Sequence, residues 1–129
     1  MNEPCILIVE ADELVRAPLA EYLRECGYRV LEAVNAREAR QMLTNGEWGI
    51  DVVLCEVESL GENGFSLGTW VRRNYPRITV ILAGSVAKAA EKAGDLCEEG
   101  PTLSKPYDHR IVLERIKGLL AARKRSAKD

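Results

Sequence analysis

The sequence is short of the features that announce most function classes. No apolar run approaches the roughly 20 residues of a membrane-spanning helix. The opening stretch MNEPCILIVE is acidic ahead of its short apolar run, so we expect neither a secretory signal nor a membrane partner. Neither GxGxxG nor GxxxxGK[ST] occurs, and nucleotide binding therefore lacks its phosphate loop. GxSxG is absent too, and no nucleophile–histidine pair is evident. The only histidine, His109, follows Asp108, where it reads as a solvated helix-start residue. The four cysteines, Cys5, Cys26, Cys55 and Cys97, form no CxxC pair and no zinc spacing. Cys5 and Cys55 lie in or beside apolar runs and read as buried, reduced thiols, a usage that points to the cytosol. A net charge of −2 gives no whole-chain reason to expect nucleic acid as a partner.

What is present is the composition of one soluble globular domain. The chain has 129 residues, 47% apolar and 29% charged, enough to bury roughly two thirds of its unfolded surface. Its periodicity alternates. CILIV is a short apolar strand of the kind covered on both faces. From Asp12, a suitable N-cap, the residues Leu14, Val15, Leu19, Tyr22 and Leu23 recur at helical spacing until Gly27. YRVLEAV is a second strand. NAREARQMLTNG is a helix capped by Asn35, with Ala39, Met42 and Leu43 inward and Gly46 at its end. IDVVLCEV, GFSLGTWVRRNYP and ITVILAG continue as strand, helix and strand. SVAKAAEKAG is a short alanine-rich helix with little apolar grip, PTLSK a brief fifth strand, and DHRIVLERIKGLLAARK a long last helix capped by Asp108. Five strand–helix units imply a parallel sheet with right-handed crossovers and helices on both faces. In such sheets a site forms at the carboxyl ends of the strands, near the switch in strand order. That directs attention to Glu10 and Ala11, Glu56, Ala83 and Gly84, and Lys105 and Pro106.

In this order and spacing the chain resembles a response-regulator receiver domain, the phosphorylated module of bacterial two-component signalling. ILIVEADELVRAPLAEYLRECGYRVLEA resembles that family's opening strand, first helix and second strand. DVVLCEVESLGENG resembles its third strand and following loop, VILAG its fourth strand, and LSKPY its fifth-strand end. The resemblance implies a flavodoxin-like sheet of five parallel strands in the order 2-1-3-4-5 with five helices. It places the domain over residues 1–122, with a basic tail, RKRSAKD, over 123–129. Most such tails are solvated helix ends.

The family's chemistry has five parts, and this chain departs from several of them. An acidic pair after the first strand holds magnesium through oxygens; Glu10 matches its first member and Ala11 stands at its second. An aspartate ending the third strand takes the phosphoryl group; Glu56 stands there. A hydroxyl ends the fourth strand; Ala83 stands there. An aromatic switch residue lies on the fifth strand; Thr102 stands there. The lysine is kept, as Lys105 before Pro106. A one-residue shift of the first loop would bring Asp12 to the pocket, although ILIVE and Arg16 would then fall out of line. Ser85 would reach the pocket only through an unusual bend.

Glu56 decides the functional reading. Its extra methylene would carry a reacting oxygen roughly 1.5 Å outward, a misplacement that can cost about a hundredfold in rate. We therefore expect a fixed Glu56–Lys105 ion pair in a degenerate acidic pocket of Glu10, Ala11, Glu56 and Lys105, with weak or absent magnesium binding and no enzyme activity. The module would act by binding a histidine kinase, a phosphotransfer protein or another receiver, with a homodimer as a further option. The competing expectation is a working receiver with unorthodox chemistry, or constitutive phospho-mimicry, at Glu56. No DNA-binding output domain is expected in this chain.

Overall fold

The computed structural model describes residues 3–57 and 62–98. Along that span the chain alternates as expected: β1 (Cys5–Val9), α1 (Glu13–Glu25), β2 (Arg29–Ala33), α2 (Ala36–Asn45), β3 (Val52–Glu56), α3 (Glu62–Asn74), β4 (Thr79–Ala83) and α4 (Val86–Glu98). The strands form one sheet in the order β2-β1-β3-β4, with every neighbouring pair parallel. This is the flavodoxin-like arrangement, with four strands and four helices among the described residues. The fifth strand, the last helix and the basic tail lie outside them.

The apolar run CILIV is explained by its place. β1 is the inner strand between β2 and β3, and all five of its side chains are fully buried. Alternate residues serve opposite faces. Ile6, Ile8 and Leu54 pack with Val15, Leu19 and Leu23 of α1 and with Ala89, Ala90, Ala93 and Leu96 of α4. Leu7, Val9, Val53 and Cys55 pack with Ala39 and Leu43 of α2 and with Leu67 and Val71 of α3. The sheet is therefore covered twice, by α1 and α4 on one face and by α2 and α3 on the other.

Local chemistry sets the ends of the helices. Asp12 caps α1, its carboxylate accepting the Leu14 amide at 2.9 Å, and Asn35 caps α2, accepting the Glu38 amide at 2.8 Å. Gly27 (φ 99°) follows α1 and Gly46 (φ 73°) closes α2 in the left-handed region that side chains avoid.

Four differences from the sequence reading follow. Leu14, grouped with the apolar face of α1, is 66% exposed; it sits in the first turn, ahead of the stripe that begins at Val15. The third helix begins at Glu62, two residues before the expected Gly64. The alanine-rich α4 does not stop at Gly94 but runs to Glu98, and its small side chains allow a close approach to the sheet that buries Ala89, Ala90 and Ala93 almost completely. Finally, Cys26 and Cys97, 71 residues apart, form a disulfide with a Cα–Cα distance of 5.3 Å. Cys5 and Cys55 are buried free thiols, as expected.

Candidate functional site

β1 and β3 deliver two carboxylates to the carboxyl edge of the sheet. Glu56 is the last residue of β3 and lies in register with Ala83, the last residue of β4. Glu10 directly follows β1 and extends its ladder, its amide donating to the Ala33 carbonyl at 3.1 Å. By strand alternation Glu10, Glu56 and Ala83 face the same side as Ile8 and Leu54, beneath α1 and α4. Both acids are nearly sealed, at 1% and 2% exposure. Burial of this kind is rare for carboxylates and demands compensating contacts.

The β1–α1 turn supplies some of those contacts. A Glu10 carboxylate oxygen accepts the Asp12 amide at 3.0 Å, while the Glu10 carbonyl accepts from the Arg16 guanidinium at 2.9 Å. Arg16 in turn pairs with Glu32 at 3.1 Å, its side chain only 11% exposed. Arg24 reaches the same glutamate at 3.3 Å. Arg16, which the sequence offered only as an alignment mark, thus clamps the start of α1 to β2 and fixes the backbone beside Glu10. Its spacing from Glu10 carries no motif, so pattern reading had no signal for this role.

The two residues of the open alternatives, Asp12 and Ser85, both act as helix caps. The Asp12 carboxylate is engaged at the head of α1. Ser85 is the cap of α4: its hydroxyl accepts the Lys88 amide at 3.2 Å, and its carbonyl accepts the Ala89 amide at 2.9 Å. The residue nearest the pocket at the end of β4 is therefore Ala83, 1% exposed, which has no hydroxyl to offer. Thr102 and Lys105 lie outside the described residues, and so does the expected Glu56–Lys105 pair.

The electrostatic imprint of the two acids is read at Cys55, next to Glu56. Its thiol is pushed up to about 12, first by burial and then by the charges of Glu56 and Glu10. A negative field of that kind favours a cation in the pocket. Magnesium, however, requires near-octahedral oxygen donors. Ala11 presents a methyl group where a second acid would stand, and the Asp12 carboxylate faces its own helix. Among the described residues no three His, Cys, Asp or Glu side chains converge on a metal position.

A parallel sheet wound on both faces, with buried carboxylates where the strand order reverses between β1 and β3, defines a flavodoxin-like module with its site at the carboxyl edge. More narrowly, the chain belongs to the response regulator receiver domain family, whose model matches residues 6–117, and is a receiver domain of the two-component type. It is 31% identical over 123 residues to the transcriptional regulatory protein GltR of Pseudomonas aeruginosa, covering 92% of this chain and 50% of that one. Against the aerobic respiration control protein ArcA of Escherichia coli it is 28% identical, covering 94% and 50%. The chain thus spans about half the length of these curated relatives. Among solved structures it is similar to a receiver domain protein from Clostridium thermocellum, with a TM-score of 0.58 and 21% identity over 94% of this chain and 97% of that one. It is also similar to a chain in the co-crystal structure of the Saccharomyces cerevisiae phosphotransfer protein Ypd1 with the receiver domain of Ssk1, with a TM-score of 0.55, 17% identity and coverage of 72% and 74%.

Proposed function

We propose that this chain is a degenerate receiver, a module of a two-component or phosphorelay system that signals by protein–protein contact and is not phosphorylated in the usual way. The observation that carries this reading is the pairing of a buried Glu56 with Ala83 across β3 and β4. An over-long acid stands opposite a methyl group, where transfer chemistry needs a well-placed carboxylate and a hydroxyl. Ala11 and the capping use of Asp12 support it by thinning the oxygen set, so that magnesium binds weakly or not at all. The module is then not an enzyme.

Its partners are a histidine kinase, a phosphotransfer protein or another receiver, a second copy of itself included, in the cytoplasm of a bacterium. The Ypd1–Ssk1 complex is a precedent for a receiver that binds a phosphotransfer protein. Leu14 at the start of α1 and Phe65 near the start of α3, 66% and 58% exposed, give the carboxyl edge an apolar rim on which a partner helix can rest. A second reading takes Glu56, buried at the end of β3, as a fixed acid that imitates the phosphorylated state.

Incubation with a small acyl phosphate and magnesium, followed by intact mass, tests the main reading. We expect no phosphoryl adduct and a flat calorimetric magnesium titration at millimolar metal. An adduct that Glu56→Gln abolishes would overturn it. The same variant separates the second reading: output lost in the host, with unchanged folding and no adduct in the wild type, marks phospho-mimicry.

A further inference from the structure

We propose that the Cys26–Cys97 disulfide is a reversible redox latch that fastens the last turn of α4 to the end of α1. Cys26 caps α1, its amide donating to carbonyls of the final turn, and is 3% exposed. Cys97 is the penultimate residue of α4 and only half-buried, the less buried of the two and so the side from which a reductant approaches. A Cα–Cα distance of 5.3 Å lies in the middle of the range a disulfide accepts. The bond therefore forms between helices that are already docked.

Three observations make the latch reversible rather than structural. First, α4 holds the sheet without it. Ala89, Ala90, Ala93 and Leu96 belong to the core, and the Tyr28 hydroxyl donates to the Leu96 carbonyl at 2.6 Å. Opening the bond removes the covalent tie from the last turn and leaves the helix seated by these contacts. Second, no other thiol is placed to scramble it. Cys5 and Cys55 are both fully buried, and burial raises both thiols above their ordinary value, that of Cys55 to about 12. Third, the α1–α4 seam includes the Tyr22 hydroxyl, which is buried with no hydrogen-bond partner among the described residues. A seam with an unsatisfied polar group is a place where packing gives way first.

The chemistry balances as a two-electron exchange with a dithiol. One thiolate of the reductant attacks the Cys97 sulfur, and the Cys26 sulfur leaves as a thiolate and takes a proton. The second thiol of the reductant then displaces Cys97, which takes the other proton, and the reductant departs as its own disulfide.

Hydrogen exchange on the full chain, in oxidised glutathione and then in dithiothreitol, tests the proposal, with peptide mapping of the cross-link in each state. The oxidised protein should yield a Cys26–Cys97 peptide. Reduction should speed exchange over Asp95–Glu98 at least tenfold, leave β1 and β3 the slowest-exchanging segments in both states, and reverse on reoxidation. Cys97→Ser should match the reduced wild type; if that variant does not fold, the wild-type pair of states decides alone. No cross-link in the oxidising buffer, equal exchange over Asp95–Glu98 in the two states, or exchange in the reduced protein as fast in β1 and β3 as over Asp95–Glu98 would each overturn it.

Discussion

Breaking the Cys26–Cys97 bond by reduction changes the unfolded chain more than the folded one, and the size of that change follows from the 71-residue separation. Closing a loop of that length removes about 15 cal/mol/K from the unfolded ensemble, or about 4.4 kcal/mol at 25 °C. Measured values for natural disulfides run from about 2 to 5 kcal/mol, and a domain of this size has about 5–15 kcal/mol in total. Reduction should therefore remove roughly a third of the stability or more and still leave a folded protein. For a chain of this length the melting temperature should fall by roughly 15 °C. The assay is urea unfolding followed by circular dichroism, with and without reductant, and with a Cys26→Ala, Cys97→Ala double variant that no longer responds to reductant. The transition slope should also rise, because the unlinked chain exposes more surface on unfolding. Coincident midpoints for the oxidised and reduced protein, with the cross-link verified in the first, would refute the loop-entropy reasoning.

Two further outcomes follow from buried contacts. The Cys55 thiol stands at about 12 in the folded protein against an ordinary 9.0, so the folded state keeps a proton that the unfolded state loses. Its contribution is complete below pH 9 and is lost as pH rises toward 12, at most about 4 kcal/mol in all; Cys55→Ala should flatten that alkaline slope, and an identical slope would contradict the assignment. Gly64 in α3 has no room for a side chain, since a Cβ there would meet Val57 Cγ1 at 2.9 Å and Val57 Cα at 3.3 Å. Gly64→Ala should cost about 1–3 kcal/mol in urea unfolding, and a neutral result would mean that the chain around Val57 yields easily.

The order of strands and helices was legible because burial on two faces leaves an unbroken apolar run, as in CILIV and VVLC, while the helices carry their caps in plain view at Asp12 and Asn35. The positions of Glu10, Glu56 and Ala83 at the strand ends were legible for a related reason: they close those runs. The remainder depended on distance in the chain. Nothing local to Cys26 points to Cys97, and the short side chains that made α4 look weakly held are what let it lie close to the sheet. The exposure of Leu14 follows from one residue of phase at a helix start, where periodicity has too few points to fix a face. Arg16 could be aligned but not assigned a role, because its partners are a backbone oxygen of Glu10, just past β1, and a side-chain oxygen of Glu32 on β2.

The parallel sheet also fixes an order of events during synthesis. β1 finds β2 at a separation of 24 residues, from Cys5 to Arg29, and finds β3 at 46, from Ile6 to Val52. Doubling such a loop adds only about 0.6 kcal/mol to its closure, so a ribosome that has released β3 offers β1 both neighbours on nearly equal terms. Cys26 is then already in place at the end of α1, with its future partner not yet translated. In the folded chain the two cysteines meet because α1 and α4 lie on the same face of the sheet, so the cross-link ties the first helix to one that follows three further strands.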